Sequence, residues 1–188
     1  FIAVVGKSGS GKSTAMNMIG CLDYPTKGIV RLDGKDTAKM EESTLAQLRG
    51  KKIGFIFQKF NLIQSLTALE NVMLPMIFQG VSRDQRIINA SKILELVGLE
   101  HRLDHKPSQL SGGESQRVAI ARSLSNDPEV ILADEPTGNL DSKTGRQIMD
   151  LLKRLNKEEG KTIIMITHDD HLAKEAERII RLKDGEII

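Results

Sequence analysis

The stretch "GKSGSGKS", Gly6 to Ser13, constrains this chain more than any other, because it joins the apolar run "FIAVV" directly to the helical pattern "KSTAMNMIGCL". It matches G-x-x-x-x-G-K-[ST] in the strand–loop–helix setting that gives the pattern meaning. A loop of this composition lets consecutive backbone N–H groups curl around phosphates, and the helix behind it turns its positive N-terminal end toward the same anion. On this reading Gly6, Lys7, Ser8, Gly9, Ser10, Gly11, Lys12, Ser13 and Thr14 form the cradle. Lys12 reaches the β- and γ-phosphates, and the Ser13 hydroxyl binds Mg²⁺.

Short apolar runs alternate with helical patterns on both sides of this loop, which predicts an α/β fold with a mainly parallel sheet and helices on its faces. "GIVRLDG" reads as an alternating strand closed by a turn at Asp33-Gly34, followed by a short helix around Leu45 to Arg49. "IGFIF" then makes a strand that ends at Gln58. From Phe60 to Ser125 the patterns are helical only. The clearest is Ser82 to Val97, where Ser82 and Gln85 have capping-box spacing, Ile87, Leu94 and Val97 supply apolar positions, and Gly98 stops the helix. Strand signals return with "VILA", followed by a helix from Ser142 to Lys157 with Ile148, Leu151, Leu152 and Leu155 on one face. The strand "TIIMIT", a helix after His168, then "RIIRL" and "EII" around Asp184-Gly185 complete the chain. The expected organisation is one domain over 1–188, with a core of 1–59 and 126–188 and an inserted helical subdomain of 60–125.

Composition narrows the partners. Lys and Arg number 27 against 25 Asp and Glu, so no charge excess argues for nucleic acid or a membrane surface. Cys21, the single cysteine, rules out an internal disulfide and reads as a small buried hydrophobe. The longest apolar runs fall far short of the roughly 20 residues that span a bilayer, so a membrane role has to come through a partner. The chain opens without methionine, directly in a strand-like run, and is expected to lack an N-terminal part.

Four further positions fall at predicted strand ends beside the loop. "VILADE" ends in Asp134 and Glu135, and a carboxylate at the end of a buried strand is costly unless it finds a cation. Mg²⁺ would supply one to Asp134, with water between them, and Glu135 could then polarise the water that attacks the γ-phosphate. His168 follows "TIIMIT" at the strand end where open α/β sheets bind ligands, able to bond a γ-phosphate or hold the attacking water. Gln58 fits either a Mg²⁺ ligand or a backbone partner at a strand end. His101, His105 and His171 lack such placement and read as surface residues. In "LSGGESQRVAIARS" the Ser111, Gly112 and Gly113 that open a helix resemble a second anion site, while an ordinary helix start would explain only one of the two glycines.

Taken together these motifs resemble the ATPase subunit of ABC transporters, over the whole chain and in the same order. Gly6 to Ser13 matches the Walker A loop, Gln58 the Q-loop, Leu110 to Glu114 the signature, Val130 to Glu135 the Walker B strand, Asn139 to Asp141 the D-loop, and His168 the switch histidine. The resemblance implies a P-loop NTPase (RecA-like) core that binds ATP and Mg²⁺. It implies a dimer with a second ATPase subunit in which Ser111, Gly112 and Gly113 close on the ATP held by the other subunit. It also implies Glu135 as general base, His168 as γ-phosphate sensor, Ser13, Gln58 and Asp134 at the metal, Asp141 as a link between the two sites, and a transmembrane permease partner docked around Phe60 to Gly80. The expected location is the cytoplasmic face of the membrane. "FIFQKFNLIQSLTALENVMLP" and "ADEPTGNLDSKTG" look like the branch of lipoprotein-releasing, macrolide-export and cell-division ATPases, whose members serve either export or a non-transport membrane machine. Two departures stand out: Glu114 replaces the commoner glutamine of the signature, and the aromatic residue that stacks on adenine in the family would lie upstream of Phe1.

Overall fold

A computed structural model describes Phe1–Ile188. Buried aliphatic runs form the centre of the sheet, as expected of parallel strands covered on both faces. β1 (Ile2–Val5) pairs in parallel with β6 (Thr162–Thr167) on one side and β7 (Arg178–Lys183) on the other. Beyond β6 lie β5 (Val130–Asp134) and then β4 (Ile53–Ile56), both parallel, and a short antiparallel β8 (Glu186–Ile187) closes the far edge. Because the five longer strands run the same way, Val5, Ile56, Asp134 and Thr167 end along one edge, where open α/β sheets place their ligands.

The two-residue period of each strand sorts its side chains between two cores. Ala3, Val5, Ile131, Ala133, Ile163 and Met165 join the larger core with α6 (Ser142–Lys157), whose Ile148, Met149, Leu152 and Leu155 are buried. Val4, Leu132 and Ile166 face the other way, onto Met16 of α1 (Lys12–Ile19), Leu45 of α2 (Glu42–Lys52) and Cys21. Burial pushes the Cys21 thiol above its ordinary pKa, so the residue serves as a small apolar filler.

Between β4 and β5 the chain is helical: α3 (Ala68–Phe78), α4 (Arg83–Leu96) and α5 (Gly112–Ser123). Their Val72, Met76, Leu94, Val118 and Ile120 belong to the larger core, so the insertion and the sheet share one apolar interior. Asn71, fully buried, fastens the loop before α3 by accepting from the Ile63 N–H and donating to the carbonyls of Ile63, Leu66 and Thr67. A short four-residue α7 (Asp170–Ala173) follows His168.

Local readings needed correction in four places. "GIVRLDG" pairs only through Arg31–Leu32 and Lys35–Asp36, a local hairpin outside the main sheet, because Asp33 and Gly34 turn the chain at φ 51° and 74°. The short helix around Leu45 extends over three turns. Ser82 does precede α4 but caps nothing with its side chain, and the Gln85 amide donates along the helix to Asn89 Oδ1 at 2.7 Å. The boxes form at Thr67–Glu70 and Ser111–Glu114. Finally, Ile87 is exposed, and Ala90 and Leu94 carry the burial of α4.

The last turn of α5 crosses β4 so closely that a Cβ on Gly54 would lie 2.3 Å from the Ser123 carbonyl oxygen. Gly54→Ala should therefore cost about 1–3 kcal/mol. Calorimetry should read this as a lowered Tm, and an unchanged Tm would show that α5 is free to move off the strand.

Candidate active site

The strand ends meet in a cavity of about 910 Å³. Gly6, Lys7, Ser8, Gly9, Gly11, Lys12, Ser13 and Thr14 line it from the loop, and Gln58, Asp134, Glu135 and His168 line it from β4, β5 and β6. Gly9 and Gly11 hold φ 81° and 95°, the left-handed backbone that glycine enters without strain. Lys12 is buried beneath the loop, and its ammonium donates to the carbonyls of Gly6 and Lys7, both at 2.8 Å.

Ser10 departs from the expected cradle. Its side chain is buried behind the loop, not in the cavity, with Oγ lacking a partner, and its carbonyl accepts from the Gly185 N–H at 3.1 Å. Gly6 makes room for it: a Cβ there would lie 2.4 Å from both Ser10 Oγ and the Leu182 carbonyl. Ser10 thus belongs to the frame that fixes the loop against β7 and β8.

Asp134 and Glu135 sit side by side at the end of β5. Burial, and then repulsion by Glu135, push the Asp134 carboxyl above its ordinary pKa, while Lys12 pulls it back. Glu135 takes φ 43°, an unusual conformation for a residue with a side chain, held by its N–H donating to the Ile166 carbonyl at 2.9 Å. Its Oε1 lies 2.6 Å from His168 Nδ1. An ionised carboxylate can only accept, so Nδ1 carries the proton. Gln58 is exposed at the rim, with its carbonyl accepting from Asn139 Nδ2 at 2.8 Å. Gly138 leaves this corner open, for a Cβ there would come within 2.8 Å of Gln58 Nε2.

Ser13, Gln58 and Asp134 offer one hydroxyl, one amide and one carboxylate oxygen, a hard donor set that suits Mg²⁺. Asp134, half-buried and carrying a raised pKa, is the group that gains most from a cation. Three protein oxygens leave half of an octahedral shell to water and phosphate oxygens, the usual arrangement for Mg²⁺ beside a nucleotide.

Ser111, Gly112 and Gly113 do not reach this cavity. Ser111 caps α5: its Oγ accepts from the Glu114 N–H at 3.2 Å while Glu114 Oε2 accepts from the Ser111 N–H at 2.8 Å. The two glycines have different reasons. A Cβ on Gly113 would lie 2.5 Å from Thr144 Cγ2, so packing against α6 favours glycine there, and a side chain would have to displace Thr144. Gly112 is exposed, with its nearest neighbour 3.5 Å from such a Cβ, and no packing within the chain accounts for it. Asp141 likewise has a local task, accepting from the N–H groups of Lys143 and Thr144 at the start of α6; the Thr144 hydroxyl first, and then these N–H groups, hold its pKa low.

Two residues that no motif marks join the site, and His105 is not the surface residue its sequence suggests. Arg181 and Asp170 also line the cavity, paired at 3.0 Å, with Arg181 in register with Val5 on β7. A charge within the apolar run "RIIRL" was the available sign. His105 is half-buried, its Nε2 3.0 Å from Arg102 Nη1, and is not a free surface residue.

A parallel sheet carrying a glycine-rich phosphate loop, an acidic strand end and a histidine on the next strand defines a P-loop nucleoside triphosphatase. Comparison with known proteins refines the class. The family profile described as "ABC transporter" matches residues 1–138. The uncharacterized ABC transporter ATP-binding protein MJ0796 of Methanocaldococcus jannaschii is 56% identical, covering 100% of this chain and 81% of its own length. A macrolide export ATP-binding/permease protein of Aggregatibacter actinomycetemcomitans is also 56% identical over the whole chain, which spans only 29% of that relative's length. A dimeric structure of MJ0796 in a post-hydrolysis state, bound to ADP and Pi, superposes with a TM-score of 0.89 at 54% identity, covering 100% of this chain and 82% of the other. The chain belongs to the ABC transporter family, among its ATP-binding, ATP-hydrolysing subunits.

Two substitutions test the site's construction. Gly113→Ala should destabilise by about 1–3 kcal/mol, whereas Gly112→Ala should leave Tm unchanged or slightly raised; equal effects would contradict the packing assignment. Asp134 holds its proton more tightly folded than unfolded, so its ionised form opposes folding at neutral pH. Asp134→Asn should accordingly raise the Tm of the nucleotide-free protein at pH 8, and a fall in Tm would show that the carboxylate is stabilising.

Proposed function

We propose that two copies of this chain close around two ATP molecules, hydrolyse them, and thereby drive a separate transmembrane subunit. One observation carries the reading: Ser111 and Gly112, at the start of a capped helix, lie outside the cavity that holds the phosphate loop, so a second copy has to bring them to the nucleotide. The dimeric state of the solved relative supports it.

In the proposed site residues 1–59 and 126–188 hold the nucleotide, and the helical subdomain of 60–125 presents the signature to the neighbouring copy. Gly6, Lys7, Ser8, Gly9 and Gly11 surround the phosphates with backbone N–H groups, and Ser10 fixes the loop from behind. Lys12 exchanges the carbonyls of Gly6 and Lys7 for phosphate oxygens. Ser13, Gln58 and Asp134 would hold Mg²⁺, which when bound neutralises charge on the phosphates. Glu135 accepts a proton from the attacking water. His168, donating from Nδ1 to that carboxylate, orients it; to bond a γ-phosphate oxygen as well, its Nε2 must carry a second proton, because phosphate oxygens only accept. Such positioned hydrogen bonds tighten in the substrate complex, so contact between base and histidine before ATP arrives is compatible with both roles.

The transmembrane subunit would dock at the apolar groove of about 640 Å³ between α2, β4 and α3. Phe55 and Phe57 stack there at 5.9 Å, Leu22 lies alongside, and Phe78 is 75% exposed. The proposed occupant is a short apolar segment of the permease, in line with relatives that carry ATP-binding and permease parts in one chain. No helix of this chain is long and apolar enough to cross a membrane, so docking would hold it at the cytoplasmic face.

Glu135→Gln should bind ATP and dimerise while hydrolysing roughly 10²- to 10⁴-fold more slowly; rapid steady-state turnover would remove Glu135 as the base. Phe78→Asp should abolish co-purification with the membrane subunit and leave ATP binding intact. Crosslinks from that subunit that miss Leu22, Phe57 and Phe78 altogether would overturn the docking site.

A further inference from the structure

Glu114 places a negative charge in the first turn of α5, the turn that would meet a neighbouring subunit's triphosphate under the proposed dimer. Its Oε2 also occupies the Ser111 N–H, an amide otherwise free for an anion. The capping box needs only an acceptor at this position, and the glutamine common in the family would supply one without charge.

The charge is met from outside the helix. Arg102, on the segment after α4, donates from Nε to Glu114 Oε1 at 2.8 Å, and its Nη1 lies 3.0 Å from His105 Nε2. Both members of the pair are sheltered, with side-chain exposures of 34% and 21%. The Ser111 backbone N–H, its hydroxyl and Arg102 together hold the Glu114 carboxyl below its ordinary pKa, outweighing burial, so it is ionised at neutral pH.

We infer that Arg102 is a positioning residue of the nucleotide sandwich: it neutralises Glu114 so that the signature turn accepts the neighbour's triphosphate, and it fixes the carboxylate that orients Ser111. The inference rests on the dimer proposed above. It separates charge from scaffolding, because removing Arg102 leaves an uncompensated carboxylate facing phosphate, and removing the Glu114 charge as well should cure the defect.

The test is ATP-dependent dimerisation by sedimentation in the Glu135→Gln background. Arg102→Ala should weaken it about tenfold, the low end for losing a hydrogen bond to a charged group. Arg102→Gln, which keeps a donor without the charge, should weaken it similarly, and ATP binding by the monomer should be unchanged in both. Adding Glu114→Gln to either should restore dimerisation to within about threefold of the parent. Full dimerisation by Arg102→Ala, or double variants as weak as the single ones, would overturn the inference while leaving the dimer standing. A parent that stays monomeric with ATP would overturn the dimer, and the inference with it.

Discussion

The ammonium of Lys12, bound to the carbonyls of Gly6 and Lys7, is the interaction on which the site depends. A glycine-rich loop has too many conformations to stay shaped unaided. Here its own cation ties the first residues of the loop to the first turn of α1, while Gly185 grips it from behind through the Ser10 carbonyl. The loop is therefore arranged before nucleotide arrives, and on the proposed reading phosphate oxygens need only replace two carbonyls. The same ammonium offsets part of the cost of Asp134, whose buried charge would otherwise oppose folding.

From this fixed point the fold distributes chemistry by strand ends. Five parallel strands finish on one edge, so Glu135, His168 and Gln58 arrive beside the loop although they are far apart in sequence. Under the proposed dimer the other half of the machinery is carried by α5, a rod of about 18 Å. At one end stands Ser111. At the other, Arg122 donates to the Asn61 and Phe60 carbonyls, just after Gln58, and Ser123 presses on Gly54. A movement of the signature turn is thus mechanically connected to the Gln58 segment and to the groove where Phe78 is exposed.

What could be read in the sequence was chemistry that needs contiguous residues: the phosphate loop, the acidic end of β5, the serine and glycines opening α5. These make sense at fixed spacing before any fold is known. Tertiary proximity could not be read so. Ser10 looks like its neighbours in "GKSGSGKS", and only the approach of Leu182 and Gly185 turns it inward. Gly112 and Gly113 look equivalent, and only the position of Thr144 distinguishes them. Arg181 and Asp170 meet because β7 lies beside β1. Ser82 and Gln85 had the spacing of a box, but the Ser82 side chain makes no cap and the Gln85 amide turns along the helix to Asn89. The spans of α4 and α6 and the existence of the core strands were legible because apolar periodicity reports burial directly, whereas α2, with only Leu45 buried, gave too weak a pattern to bound.

The central claim is that no single copy of the chain holds a complete site. ATP turnover per subunit, measured against subunit concentration from well below to well above the dimerisation range, tests it most directly. The account predicts turnover that vanishes on dilution and rises to a plateau as subunits pair. Constant turnover per subunit across a range in which the protein sediments as a monomer with ATP would contradict it.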